Sequence, residues 1–155
     1  MFYQWNDSMS VGVLLIDNDH MALIHLINRL HESVSAEDRY DVLDDLLNRL
    51  VDYIDIHFTR EERIMEACGY TETAGHKEEH GVFVDYIRGL RKDFNADSAP
   101  ELAADLAEHL KNWLNHHILI QDMAYRRSVE SNPNAIRIAE AFGPGLYDRI
   151  RGATA

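Results

Sequence analysis

Apolar residues recur along most of this chain at intervals of three and four, which is the spacing of one face of an α-helix. After residue 17 this pattern predicts four long helices joined by short loops. They cover approximately residues 18–34, 36–67, 73–94 and 99–129. A fifth, shorter helix is predicted from Asn132-Pro133 to Gly143-Pro144-Gly145, and no segment alternates as a β-strand does. The sequence therefore predicts an all-α fold, an up-down-up-down four-helix bundle with a short C-terminal extra helix.

The residues that flank these helices predict where two of them begin or end. Asp17 or Asn18 is placed to cap the first helix at its N-terminus. Gly69 is placed to end the second helix in a left-handed conformation. The N-terminal arm, Met1 to Ile16, is expected to pack along the bundle without regular structure.

The composition narrows the range of partners. Because the formal net charge is -12, the surface repels phosphate backbones and anionic lipids, so we expect neither nucleic acid nor a membrane as a partner. Cys68 is the only cysteine and cannot form an intrachain disulfide, and the apolar run Val11–Ile16 lacks the basic region of a signal peptide. We therefore expect a cytoplasmic monomer with one domain, residues 1–130 as the bundle and residues 131–155 as its C-terminal helical extension.

The apolar face of each long helix, when it is extended along the chain, meets at least one histidine. These core-facing polar residues are His20 on the first helix, His57 and Glu61 on the second, His76 and His80 on the third, and His117 on the fourth. An unpartnered polar group in an apolar interior costs about 1–3 kcal/mol, and a bare carboxylate costs more. Because neutral imidazole and carboxylate both bind transition metals, a cation can satisfy the whole set.

The spacing within the second and third helices supports a metal site. His57 and Glu61 are four residues apart, as are His76 and His80, so each pair lies about 40° from eclipsed on one helix face. Each pair can therefore reach one ion or two adjacent ions.

The spacing does not decide which residue is the second ligand on the fourth helix. Asp122 follows His117 by five residues, which is about 140° around an ideal helix. Asp122 can bind there only if the helix widens locally or if the residue sits at the rim of the site. Spacing alone does not favour Asp122 over Gln121.

The number of ligands indicates two ions. Five imidazoles and two carboxylates are too many for one ion that must also react, and they suit two adjacent ions bridged by the carboxylates. A shell rich in histidine suits iron better than calcium or magnesium, which prefer oxygen ligands.

Several motifs of this chain resemble those of the hemerythrins, in particular the bacterial single-domain type. The resemblance extends from Trp5 to about Arg126. The matching segments are Trp5, Gly12–His20, His57-Phe58-Thr59-Arg60-Glu61-Glu62, Met65, Tyr70, His76-Lys77-Glu78-Glu79-His80, and Trp113–Ile118 with Asp122.

The resemblance implies a centre of two iron ions with an oxo or hydroxo bridge, and dioxygen as its ligand. It implies His76, His80 and His117 as ligands of a saturated iron and His20 and His57 as ligands of an open iron. It implies Glu61 and Asp122 as bridging carboxylates, and Trp113 and Ile118 as candidates for the oxygen pocket. Asp19 stands where many relatives have glutamine, and Thr71 where many have proline; we expect neither to contact a ligand.

The sequence-based hypothesis is reversible dioxygen binding, for storage, delivery or buffering, by a protein that is not an enzyme. Three alternatives use the same site. They are an oxygen sensor that signals to a separate partner, a di-iron peroxidase or nitric oxide-reducing enzyme, and an iron store.

Overall fold

Four long helices, in the predicted order, form the body of the molecule. The computed structural model describes residues 1–35, 39–95, 97 and 99–153. The long helices are α1, Leu14–Ser33; α2, Arg39–Ala67; α3, Thr73–Asp93; and α4, Ala99–His116. After α4 come a π-helical segment, His117–Asp122, and the helices α5, Met123–Val129; α6, Pro133–Ala141; and α7, Leu146–Ala153. The described residues contain no β-strand, and the predicted all-α bundle is confirmed.

The predicted apolar faces meet in one core. Leu23 and Ile27 of α1 pack with residues of the other three long helices in a single cluster. The members from those helices include Leu43, Leu47, Leu50, Ile54, Phe83, Ile87, Leu106 and Leu110. In the part of the chain that the structure describes, no helix is both long and apolar enough to cross a bilayer.

We expect Leu106→Ala to lower the free energy of unfolding by about 2–5 kcal/mol, because it opens a cavity at the centre of this core. Leu106 is buried and lies on the face of α4 that packs against the other helices. Chemical denaturation monitored by circular dichroism measures the change. Val82→Ala, at an exposed position of α3, is the control and should change the stability little. Equal stabilities of the two variants would contradict the packing described here.

Helix α1 begins four residues before its predicted start. Its N-cap is Val13, whose side chain makes no capping hydrogen bond. Asp17 instead accepts hydrogen bonds from the Val11 N–H, at 2.9 Å, and from the Ser10 hydroxyl, at 2.6 Å. The Asn18 side chain accepts hydrogen bonds from the N–H groups of Tyr147 and Asp148. The prediction that Asp17 or Asn18 caps α1 is therefore wrong, because both side chains bind other segments.

The predicted end of the second helix is confirmed. Gly69 has φ +69° and follows the last helical residue, Ala67, by two positions. Its N–H donates to the Glu66 carbonyl at 3.2 Å, and the Tyr70 N–H donates to the Met65 carbonyl at 3.1 Å. This pair of bonds is the Schellman arrangement, which satisfies carbonyls at the helix end. The predicted start of the helix, at Ala36, lies outside the described residues.

The N-terminal arm packs along the bundle, as expected. Tyr3 is buried, and its main-chain N–H and carbonyl bind the Asn28 side chain, each at 2.7 Å. The arm is more regular than predicted, because Asp7–Met9 forms a 3-10 turn capped by Asn6.

Two short helices, rather than one, follow the bundle. Helix α6 begins with the predicted Asn132 cap and proline, and its Ala135 and Ala139 pack against apolar residues of the arm, α1, α2 and α5. Helix α7 was not predicted. The first N–H groups of α7 donate to side chains of α1 rather than to a local cap, so the local sequence gives no indication of it.

Candidate metal centre

All seven side chains that were predicted to bind metal are buried in one region of the bundle. They are His20 on α1, His57 and Glu61 on α2, His76 and His80 on α3, and His117 and Asp122 in the π-helical segment. The most exposed of them, His76, has 4% of its surface accessible. Solvent cannot satisfy these polar groups, so they depend on one another or on a cation.

Four of these residues form a first group, the four-residue group. Its members are Glu61, His76, His80 and His117, and one ligand atom from each lies within 4.8 Å of the others. Oε2 of Glu61 lies 3.5 Å from Nε2 of His76 and 3.1 Å from Nε2 of His80. It lies 3.6 Å from Nε2 of His117. Four donor atoms at such distances can surround one ion.

A second, three-residue group consists of His20, His57 and Glu61, again with ligand atoms within 4.8 Å of one another. Nε2 of His57 lies 3.9 Å from Oε2 of Glu61. Glu61 thus belongs to both groups. A carboxylate shared between two sets of imidazoles is the arrangement that two adjacent ions would need.

Asp122 also spans both groups. Its Oδ2 lies 3.1 Å from Nε2 of His20, and its Oδ1 lies 3.1 Å from Nε2 of His117 and 3.4 Å from Nε2 of His76. A π-helix closes its hydrogen bonds at five residues, so residues five apart come onto one face. The widening that Asp122 requires is therefore present, whereas Gln121 is half-buried and lines an outer cavity with His116.

The donor atoms fit a pair of transition-metal ions. Among the described residues, eight side-chain atoms of this cluster are buried without a hydrogen-bond partner. They are Nδ1 and Nε2 of His20 and of His57, Oε2 of Glu61, Nε2 of His76, and Oδ1 and Oδ2 of Asp122. Native interiors rarely leave so many polar atoms unpaired. Imidazole nitrogens and carboxylate oxygens are suitable ligands for iron, so cations would satisfy those of the unpaired atoms that face the centre of the cluster.

The electrostatics of the cluster favour a bound cation. Burial alone would raise the pKa of Glu61, but the charge on His57 and the close ring nitrogens of His117, His76 and His80 hold it well below its usual range. Burial disfavours a charged His76 ring, yet the two carboxylates outweigh this effect and raise the pKa of His76 to about 10. The pKa of Asp122 is likewise lowered, because the neighbouring histidines outweigh the effect of burial, so both carboxylates stay ionised and attract positive charge.

Neighbouring side chains hold the ligand groups in orientation. The hydroxyl of Tyr125, which is fully buried on α5, donates to Oε1 of Glu61 and leaves Oε2 toward the histidines. Nδ1 of His80 lies 2.9 Å from Oε1 of Glu62, so its Nε2 is the nitrogen that faces the cluster. Metal-binding histidines commonly use the second ring nitrogen in this way.

Our expectation that Asp19 contacts no candidate ligand is wrong. Its Oδ2 lies 3.6 Å from Nδ1 of His57, and both side chains are fully buried. Arg60, also fully buried, donates to both carboxylate oxygens of Asp19 at 2.6 Å. Asp19 is fully buried next to His20 on α1, where its carboxylate pairs with Arg60 of α2. Arg60 is part of the motif His57–Glu62, but nothing in the local sequence indicates that Arg60 pairs with a residue 41 positions away.

Phe58 links the cluster to an apolar cavity in the bundle core. Its ring stacks on His80 at 3.7 Å between centroids and lies 5.5 Å from the ring of His57. The cavity is lined by Leu23, Ile27, Leu50, Ile54, Phe58, Phe83, Leu110, Trp113 and Leu114. The predicted pocket residue Trp113 is among them and stacks on His117 at 4.6 Å, whereas Ile118 is buried elsewhere in the core.

The remaining histidines lie away from the cluster. His31, His109 and His116 are exposed, and His25 is half-buried beside Tyr147.

Comparison with known proteins gives a consistent result. A family model described as the hemerythrin HHE cation binding domain matches residues 11–126. A bacteriohemerythrin of Stenotrophomonas maltophilia is 33% identical over 130 residues, which cover 84% of this chain and 83% of that relative. A myohemerythrin of Theromyzon tessulatum is 27% identical over 124 residues, 80% of this chain and 91% of that relative. A solved structure of wild-type hemerythrin superposes with a TM-score of 0.76 at 29% identity and covers 84% of this chain and 99% of its own.

Proposed function

This chain belongs to the hemerythrin family, and on that premise we propose that it binds dioxygen reversibly at a pair of non-haem iron ions. One observation supports the proposal above all: two groups of buried imidazoles share the carboxylate Glu61. The names of its relatives point to oxygen binding rather than catalysis, and we propose that this protein is likewise not an enzyme.

The proposed ligands divide between the two groups. We assign His76, His80 and His117 to a saturated iron, and His20 and His57 to an iron with an open position. Glu61 and Asp122 are the proposed bridging carboxylates, supported by the contacts of each with histidines of both groups. We also propose that residues 131–155 belong to the same domain, because Ala135 and Ala139 pack in a shared core cluster.

The protein's own residues prepare the site. A pair of Fe(II) ions held by these residues would supply the electrons that dioxygen takes up on binding, and would recover them when dioxygen leaves. Tyr125 fixes Glu61, and Glu62 fixes the orientation of His80. Phe58 and Trp113 keep water from one side of the cluster and border the apolar cavity. We propose that Trp113 and Ile118 contribute to the oxygen pocket.

The proposal is tested by cycling the reduced, iron-loaded protein between dioxygen and argon. Visible absorption and resonance Raman spectra with ¹⁶O₂ and ¹⁸O₂ follow the cycle, and chemical analysis gives the iron content. We expect about two iron ions per chain and a reversible, isotope-sensitive oxygen–oxygen band. Irreversible oxidation without such a band would refute reversible binding.

The same cycle distinguishes the alternatives. An enzyme would turn over with peroxide or nitric oxide, and an iron store would release its iron to a chelator during reduction. A sensor would oxygenate reversibly and, in addition, change its affinity for a separate partner protein.

We expect Tyr125→Phe to weaken binding of the iron pair about 10-fold, because Glu61 loses the hydroxyl that orients it. Competition with a chelator of known affinity measures the effect. Tyr70→Phe is the matched control, since Tyr70 lies beside Tyr125 with its ring centroid 6.2 Å away but makes no contact with Glu61 in the described part of the structure. Equal affinities of the two variants would argue against a positioning role for Tyr125.

A further inference from the structure

The segment that leads into helix α7 contacts Asp19, which lies beside His57, and Arg60, which binds Asp19. We call residues 142–148 the C-terminal hook. Its first half is the turn between α6 and α7, and its second half is the first turn of α7. The hook lies against α1 and α2 at Arg60, a residue with no exposed surface.

The Arg60 guanidinium joins the hook to Asp19. One terminal nitrogen, Nη1, donates to both oxygens of Asp19 at 2.6 Å. The other, Nη2, lies 3.2 Å from the Pro144 carbonyl and 3.4 Å from the carbonyls of Phe142 and Gly143. Among the described residues, these three carbonyls are the acceptors of Nη2. A buried guanidinium must keep such acceptors, so the position of Arg60 depends on the hook.

The hook also binds Asp19 and its neighbour directly. The Leu146 N–H donates to Oδ1 of Asp19 at 2.9 Å. Oδ1 of Asn18 accepts from the N–H groups of Tyr147, at 2.9 Å, and Asp148, at 3.3 Å. Side chains of α1 thus satisfy the free N–H groups at the start of α7. The hook is fixed to the helix turn that carries His20.

Asp19 lies between the hook and His57. Nε2 of His57 faces Glu61, so Nδ1 is the ring nitrogen left to donate, and Oδ2 of Asp19 lies 3.6 Å from it. A metal-bound histidine generally needs an acceptor for its second N–H, and loss of that acceptor weakens metal binding 10–100-fold. Of the two Asp19 oxygens, Oδ1 binds the hook and Oδ2 faces His57, while Arg60 contacts both.

We propose that the C-terminal hook is a positioning element for His57 and that it sets the metal affinity of the three-residue group through Arg60 and Asp19. The inference rests on the proposed function, since it concerns the same His57, His20 and Glu61. It gives the C-terminal extension a role at the side of the site where dioxygen is proposed to bind. The four-residue group has no contact with the hook among the described residues, so its affinity should not depend on it.

Gly145→Ala tests the proposal without changing any ligand, Asp19 or Arg60. A Cβ at position 145 would lie 2.1 Å from Oδ1 and 2.4 Å from Cγ of Asn18, so the hook must shift away from α1. Gly89→Ala is the matched control, because a Cβ there meets nothing within 4 Å and the residue lies on α3. Zinc(II) is the probe, since it binds imidazole and carboxylate and is not oxidised.

Two measurements on the zinc-loaded full chain report the effect. Chelator competition gives the affinity of each zinc ion, and ¹⁵N-edited NMR gives the ring N–H signals of the bound histidines. The His57 signal is assigned by its absence from His57→Ala. In Gly145→Ala we expect the affinity of one zinc ion to fall about tenfold and the His57 Nδ1–H to exchange faster with water. The second zinc ion and the His80 signal should match those of Gly89→Ala.

The outcomes separate this inference from the function on which it rests. If Gly145→Ala keeps both affinities and the His57 signal of the wild type, the hook has no positioning role and the inference is wrong. If the wild type binds zinc as expected but its iron form never oxygenates, only the proposed function is refuted. If Gly145→Ala does not fold, Asn18→Ala removes the acceptor for Tyr147 and Asp148 without a steric clash, and the same weakening is required of it. A wild type that binds no pair of ions contradicts both proposals.

Discussion

Replacing His57 by alanine is expected to abolish dioxygen binding while the bundle stays folded. His57 contributes to the three-residue group alone, and its removal leaves His20 as the only imidazole in that group among the described residues. The four-residue group keeps all its members, so one iron ion should still bind. The helical core packs mainly through other residues, and Asp19 keeps its ion pair with Arg60.

Three measurements check this expectation. Iron analysis should fall from about two ions to about one per chain, the isotope-sensitive oxygen band should disappear, and the circular dichroism spectrum should remain helical. His116→Ala is the control, because His116 adjoins a proposed ligand but is exposed. A His57→Ala protein that still oxygenates like the wild type would overturn our assignment of the open iron.

The second large effect is expected when Gln121 and Asp122 exchange places. The double variant Gln121→Asp/Asp122→Gln keeps the composition and the net charge but moves the carboxylate by one residue. The π-helical segment directs position 122 to the buried cluster and position 121 to the outer cavity. A neutral amide would then stand where Asp122 now contacts His20, His76 and His117.

We expect the exchange to weaken binding of the metal pair by at least 100-fold, beyond the 10–100-fold usual for residues that merely support ligands, because a ligand itself is lost. Gln121→Asp alone should bind like the wild type, and Asp122→Gln alone should be as weak as the double variant. Chelator competition compares the three. If the double variant binds tightly, position 121 reaches the ions and the π-helical geometry is not what selects the ligand.

The sequence predicted much of the site because a helix is a local structure with a fixed period. Each of His20, His57, His76, His80 and His117 continues an apolar face, so burial of that face carries the imidazole inward. The same argument placed Glu61 beside His57. These residues needed no knowledge of how the helices pack beyond the fact that their apolar faces must meet.

The resemblance to hemerythrins, rather than the spacing, selected Asp122 over Gln121. The choice depends on whether the backbone closes its hydrogen bonds at four or five residues. The hydrogen-bond register of this segment depends on which groups its buried side chains contact. The spacing of residues along the sequence does not reveal those contacts.

By itself, then, the sequence determined the helices, their inward faces and six of the seven proposed ligands, since each follows from the local period and from the removal of apolar surface from water. Only the tertiary structure decided the π-helical turn that admits Asp122, the existence of α7, and the chain of contacts from the hook through Arg60 and Asp19 to His57. Each of these depends on contacts between polar groups far apart in the sequence, and such contacts form only where packing has already brought the groups together.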